Sequence, residues 1–247
     1  MSLSMGDRPE PGDSIANMLE RAAAAGITLT VLDGLVEWYP HHPPKHALGG
    51  TSITIEDVLQ AADDFAIPVV NAIAPYKTDL ALDEMAEHFG QLCDRADELG
   101  VQVCFEFTPR SPVSDIPTVW QLLRMADRPN AGILFDTWHF FQTNPDLEAL
   151  AEVPGDRIFG VQVCDGSTTT YVEHLLADTF RHRFPPGEGS FPLVDALTVL
   201  RDIGGLNRVG PEVLSVELLA DGADSCARRC AEAFADVVAE LREVPTA

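Results

Sequence analysis

The 247-residue sequence predicts an α/β fold, a (β/α)8 TIM-type barrel whose N-terminal strands are missing or incomplete. Three observations lead there. Apolar runs of strand length alternate with amphipathic stretches of helix length. The runs are apolar throughout rather than at alternate positions, as strands buried on both faces of a parallel sheet must be. Four of them end in an oxygen-bearing side chain: VQVCFE at Glu106, GILFD at Asp136, FGVQ at Gln162 and LSVE at Glu217. Burying a carboxylate without a partner costs several kcal/mol, so its recurrence at strand ends calls for a cation or a catalytic use. Ligands of an open doubly wound sheet gather at one switch point, whereas the strand ends of a barrel converge on one face. Four polar strand ends in a row favour the barrel, and no glycine fingerprint follows the first strand to suggest a dinucleotide.

Residues 13–25 read as the first helix, with Asp13 or Ser14 as N-cap and Gly26 as stop, followed by a buried strand at 27–33. Helix 55–65 leads to strand 68–73, helix 80–99 (stopped at Gly100) to strand 101–106, and helix 116–126 to strand 131–136. A short helix at 146–151 precedes strand 158–162, helix 192–203 precedes strand 213–217, and helix 225–241 closes the chain. These are six strands where the barrel takes eight. Residues 1–12 are too polar and proline-rich to supply the others, which leaves a sequence lacking its first βαβ portion or an open barrel covered by a second subunit in a homodimer.

One domain over residues 1–247 suits the length and the 46% apolar content. The formal charge of −23 repels nucleic-acid phosphate and favours a small-molecule partner. No stretch reaches membrane-spanning length, and MSLSMGDRPEPGD lacks the basic start and apolar core of a signal peptide, so a cytoplasmic protein is expected. Five cysteines without a CxxC suit a reduced compartment, with Cys226 and Cys230 read as small packing groups one helical turn apart.

The ordered segments CFEFTP, LFDTWHF, VQVCDG, RHRFPPGEG and LSVEL resemble the xylose-isomerase-like barrel superfamily of sugar isomerases and epimerases, whose members also include dehydratases and endonuclease IV. The resemblance implies that Glu106, Asp136, Gln162 and Glu217 hold one divalent metal, and that His139 and Arg183 face the substrate. The family's usual histidine is replaced by Gln162, whose neutral, hard amide oxygen favours Mg2+ or Mn2+, with Zn2+ or Co2+ as alternatives. Endonuclease chemistry fits least, since it needs a histidine-rich multi-zinc site and a basic surface.

Proton transfer beside a sugar carbonyl needs a base, an acid to return the proton and a cation to hold the enediolate oxygens. By resemblance, Glu106 and Glu217 serve as both ligands and acid/base pair, and Asp136 and Gln162 hold the ion. His139 would donate to a substrate oxygen, and Arg183 would bind a hydroxylate, carboxylate or phosphate. Plainer readings stand beside these: a helix cap or arginine pair for each acid, a core position for His139, a turn or supporting role for Asp165, and a turn or an Arg183-orienting role for Glu188. Lys45, Lys77, Arg110 and Arg181 to Arg183 fall in loops after strands, where they would draw in an anionic substrate or simply be solvated. In the loop after the first strand, His41, His42 and His46 lie among prolines as a solvated or lid-like segment. Trp38 is the better substrate-binding candidate there, as an aromatic wall for a sugar ring, and the same holds for Trp138 and Phe107.

The expected activity is a divalent-metal-dependent isomerase or epimerase of a sugar, sugar phosphate or related keto compound. A dehydratase of the inosose or dehydroshikimate type is the second reading, and a catalytically silent binding barrel the third.

Overall fold

Four of this chain's helix-to-strand passages turn on the same local device. A computed structural model describes residues 2–4, 14–39, 53–74, 80–109, 111–168 and 181–245. Helix α1 (Ile15–Ala24) starts at Ser14, whose hydroxyl accepts the Asn17 N–H at 3.2 Å. It stops where Gly26 turns left-handed at φ +69°, with Gly26 N–H bonded to Ala23 and Ile27 N–H to Ala22. That double bond satisfies carbonyls a helix end would otherwise leave open. The same closure follows α2 (Ile55–Asp64) at Ala66, α3 (Leu82–Asp97) at Gly100 and α7 (Leu193–Asp202) at Gly204. In each case it aims the chain into the next strand.

The chain divides into two compact units, Met1–Val113 with Thr118–Ile133, and Ser114–Pro117 with Leu134–Ala247. In the first, β1 (Ser2–Ser4), β2 (Val31–Leu35), β3 (Val69–Ile73) and β4 (Gln102–Glu106) pair in parallel in chain order. The register of β3 on β4 sets Ile73 against Glu106. Val70, Val103 and Phe105 are fully buried, as are Met85 and Phe89 of α3. Burial of each such side chain contributes roughly 1.5–3 kcal/mol. Helix α4 (Ile116–Ala126) and strand β5 (Ala131–Asp136) have residues in both units.

The second unit continues with α5 (Thr137–Phe141), α6 (Leu147–Ala151), β6 (Ile158–Val163), α7, β7 (Val209–Pro211), α8 (Val216–Ala220) and α9 (Ala223–Glu243). Strands β6 and β7 are parallel, with Gln162 opposite Gly210. The buried Ile158, Val161, Ala196, Leu197 and Leu200 belong to this unit's core.

Three sequence expectations change. Residues 1–12 do contain a strand, because Ser2–Ser4 needs only its backbone groups to pair with Val31–Asp33, giving seven strands among the described residues. The strand expected at 27–33 is Val31–Leu35, since the first residues after Gly26 are used in closing α1. The strand expected at 213–217 is absent: β7 forms at Val209–Pro211, and Ser215 caps a short helix that contains Glu217. The run LSVEL reads as a strand by composition, but Ser followed by a glutamate in the first turn is also a helix start.

Candidate active site

In the first unit, polar groups stand side by side on three neighbouring strands. Glu106, at the end of β4, is buried and accepts from Asn71 Nδ2 at 2.7 Å. The same amide nitrogen donates at 2.8 Å to Asp33 Oδ1 on β2. Asn71 is fully buried, and its own oxygen accepts from the Cys104 thiol at 3.6 Å. One carboxamide thus serves two carboxylates, holding Glu106 in one orientation without neutralising it. Sequence reasoning missed Asn71 and Asp33, although Asp33 also ends an apolar run.

Trp38 lies in this unit as a core residue. Its indole N–H donates to the Ile73 carbonyl at 2.9 Å, and its ring meets Tyr39, Phe89 and Phe105 edge-on at 5.3, 5.9 and 5.6 Å. Only 3% of the residue is exposed, so the sugar-facing wall expected of it is packed inside the protein. His41, His42, His46, Lys45, Lys77 and Arg110 lie outside the described residues.

The second unit holds a denser network around Arg183. Asp136 ends β5 and caps α5, its Oδ1 accepting the Trp138 N–H at 2.8 Å. Its Oδ2 accepts from Arg183 Nη1 at 2.8 Å and lies 3.4 Å from His139 Nε2. Arg183 Nη1 also donates at 2.9 Å to Glu212 Oε2, and Glu212 Oε1 accepts from Gln162 Nε2 at 2.9 Å. The guanidinium carbon lies 5.7 Å from the centre of the Trp138 ring. Asp136 and Arg183 are 0% and 2% exposed. Burial alone would raise the Asp136 pKa, but the charge of Arg183, with help from His139 and the Trp138 N–H, holds this carboxyl below its usual range. Burial likewise opposes the charge on Arg183, while Asp136, Cys164 and Glu212 drive its pKa well up.

Of the predicted residues, this unit brings together Asp136, His139, Gln162 and Arg183, with the unpredicted Glu212 joining the last two. Glu217 is elsewhere: its side chain is 67% exposed and touches Ser215 Oγ at 3.2 Å and His182 Nδ1 at 3.5 Å. Glu188 pairs with Arg229 of α9 at 2.5 Å rather than with Arg183. Asp165 is buried and accepts the N–H groups of Gly166, Gly187 and Phe191 at 2.7, 3.1 and 2.9 Å. It also exchanges backbone bonds with Phe184, next to Arg183, so it anchors the segment that carries the arginine. Trp138 and Phe107 are buried.

The donors at these strand ends are carboxylate oxygens, an amide oxygen and an imidazole nitrogen, a chemistry that suits a hard or borderline divalent ion. Asp136 can act as a ligand while hydrogen-bonded to Arg183, because each carboxylate oxygen carries two acceptor sites. Since Gln162 donates to Glu212 through nitrogen, its oxygen is the end suited to a metal.

Comparison with known proteins places this geometry in a family. A family model described as a xylose isomerase-like TIM barrel matches residues 3–234. The inosose isomerase of Bacillus licheniformis is 28% identical over 181 residues, covering 72% of this chain and 63% of that protein. The 3-dehydroshikimate dehydratase of Pseudomonas aeruginosa is 30% identical over 139 residues, 56% of this chain and 21% of that protein. Aligned segments thus span less than two thirds of these relatives' own length. A solved structure of the IolI protein with a zinc atom superposes with a TM-score of 0.83 at 20% identity, covering 98% of this chain and 89% of that one. The chain belongs to the xylose isomerase-like TIM barrel family.

Proposed function

We propose that this chain is a divalent-metal-dependent enzyme that transfers a proton beside the carbonyl of a sugar-like keto compound, with isomerisation or epimerisation as its first reading. The observation that carries it is the fully buried Asp136, held ionised by Arg183 at the end of a strand. In the first unit Glu106 supplies a buried carboxylate, and in the second Asp136 and His139 supply a buried carboxylate and a buried imidazole, each suited to a metal, with Gln162 as a further oxygen donor. When bound there, a divalent ion would polarise a substrate carbonyl and steady negative charge on the adjacent oxygens.

The chain's own residues would do the rest. Glu106, fixed by Asn71, takes the proton from the carbon beside the carbonyl, and a glutamate at the end of the last strand returns it on the neighbouring carbon or the opposite face. His139 donates to a substrate oxygen. Arg183 keeps Asp136 ionised and oriented, since its Nη1 is engaged by two carboxylates and it is almost wholly buried. The similarity to a 3-dehydroshikimate dehydratase favours a second reading, in which the same proton abstraction is followed by loss of a β-hydroxyl.

The test is turnover of an inosose and of 3-dehydroshikimate by protein loaded with Mn2+, Mg2+ or Zn2+, and again after chelation. A metal-dependent change of configuration or carbonyl position supports the isomerase. A metal-dependent near-ultraviolet chromophore supports the dehydratase. Metal binding without turnover of any ketose in a broader panel would contradict both and leave a binding barrel.

A further inference from the structure

Strands β2, β3 and β4 of the first unit present Asp33, Asn71 and Glu106 in a row, and the middle group has a hydrogen for each flank. We propose that Asp33 is a positioning residue for Glu106, acting through the Asn71 amide rather than on a substrate or an ion. Asn71 is fully buried, so its polar atoms must find their partners inside the protein. An amide NH2 carries two hydrogens. Asn71 Nδ2 spends one on Asp33 Oδ1 at 2.8 Å and the other on Glu106 Oε2 at 2.7 Å. Its Oδ1 accepts from the thiol of Cys104, itself fully buried and opposite Asn71 in the register of β3 on β4. Turned over, the amide would set its oxygen against two carboxylates and its NH2 against the thiol. One orientation therefore satisfies all three neighbours, and Asp33 is the neighbour that pulls from the β2 side.

Without an acceptor at position 33, the amide keeps a single bond to Glu106 and a buried hydrogen with no partner. It then turns about its side-chain torsion, and the Glu106 carboxylate loses its fixed angle. What the amide needs from Asp33 is an oxygen, not a charge. A second carboxylate close to Glu106 repels it, so a neutral amide at position 33 would serve the same purpose. Asp33 is half-buried and Glu106 is buried, so the chain of contacts runs from the edge of the unit's core to the base.

This role rests on the proton-transfer reading above for what Glu106 does, but the Asp33–Asn71 contact does not. The test takes Asp33→Ala, Asp33→Asn, Asn71→Ala and the double variant Asp33→Ala/Asn71→Ala through two readouts. The first is exchange, in D2O at saturating Mn2+, of the proton beside the carbonyl of an inosose. The second is proton–nitrogen NMR of the Asn71 side-chain amide in chelator, its signals identified by their loss in Asn71→Ala. Asp33→Ala is expected to lower kcat about tenfold or more with KM within about threefold, because a misplaced base costs rate rather than binding. Asp33→Asn recovers most of that loss, and the double variant is no slower than Asn71→Ala alone. The Asn71 amide signals shift in Asp33→Ala. Additive losses in the double variant, or an Asp33→Asn as slow as Asp33→Ala, overturn the proposal, since Asp33 would then act directly or through its charge. If Asp33→Ala fails to fold, Asp33→Asn decides, and a loss of about tenfold in its kcat overturns it. If the parent exchanges no proton, the proton-transfer reading fails and the NMR arm decides the placement: Asn71 signals unmoved in Asp33→Ala overturn it.

Discussion

Replacing Arg183 by methionine removes the guanidinium that joins Asp136 to Glu212, and its cost can be worked from the geometry. Arg183 is 2% exposed and donates at 2.8 and 2.9 Å to Asp136 and Glu212. Methionine fills much of the volume, so the loss is chiefly that of an uncompensated buried charge, about 3–5 kcal/mol. For a chain of this size that lowers Tm by roughly 6–20 °C. Arg229→Met removes an exposed pair with Glu188 at 2.5 Å and is expected to leave Tm unchanged. The Arg183 variant should also change the pH dependence. Asp136 has a lowered pKa in the folded protein, so its contribution is present above the unfolded value of about 3.9 and is lost as pH falls through the folded value. Without Arg183, the burial that opposes ionisation gains weight, and acid unfolding begins at higher pH. The assay is thermal and urea unfolding followed by circular dichroism between pH 3 and 8, in chelator. A Tm within 2 °C of the parent, or an acid limb that does not move, would refute this account of the Arg183 network.

Burial pushes the Cys93 and Cys164 thiols up to about 12, so neither should react with iodoacetamide at pH 8 in the folded protein, whereas the half-buried Cys226 should. Because those folded values are raised, stability is full below the unfolded thiol pKa of about 8.5 and falls as pH climbs toward 12, which urea titrations at pH 8 and 10 would detect. Trp38→Ala should cost about 3–5 kcal/mol and Trp38→Phe about 1 kcal/mol, the latter through loss of the bond to Ile73; equal costs in urea unfolding would contradict the packing described. A Cβ at Gly189 would run into the Asp165 carboxylate, so Gly189→Ala should lose about 1–3 kcal/mol, and an unchanged Tm would refute the anchoring role of Asp165. Gln162→His should raise Zn2+ affinity relative to Mg2+ in competitive titrations, and an unaltered ratio would count against Gln162 as a ligand.

Much of the fold was legible because its signals are local. Ser14 and the left-handed Gly26 and Gly100 are marked by residue type, and the helices they bound fall within a few residues of expectation. The strand ends at Glu106, Asp136 and Gln162 were legible because a polar side chain after an unbroken apolar run is costly without a purpose. Strand β1 was not, since three backbone pairings impose little on side-chain chemistry. The last strand was misplaced for a related reason: RVGP is a poor strand former, and its place in the sheet comes from non-local pairing with β6. Asn71 and Arg183 show the same limit within the site, because their roles depend on which strands and loops become neighbours.

The central claim is that this chain labilises a C–H bond beside a carbonyl with the help of a bound divalent ion. Proton NMR of an inosose incubated with the metal-loaded protein in D2O tests it before the choice between isomerisation and dehydration arises. The account predicts loss of the proton signal beside the carbonyl, abolished by chelation and in Glu106→Gln, and restored to the parent by Mn2+. Exchange that persists unchanged after complete metal removal, or no exchange with any keto sugar in the panel, would contradict it.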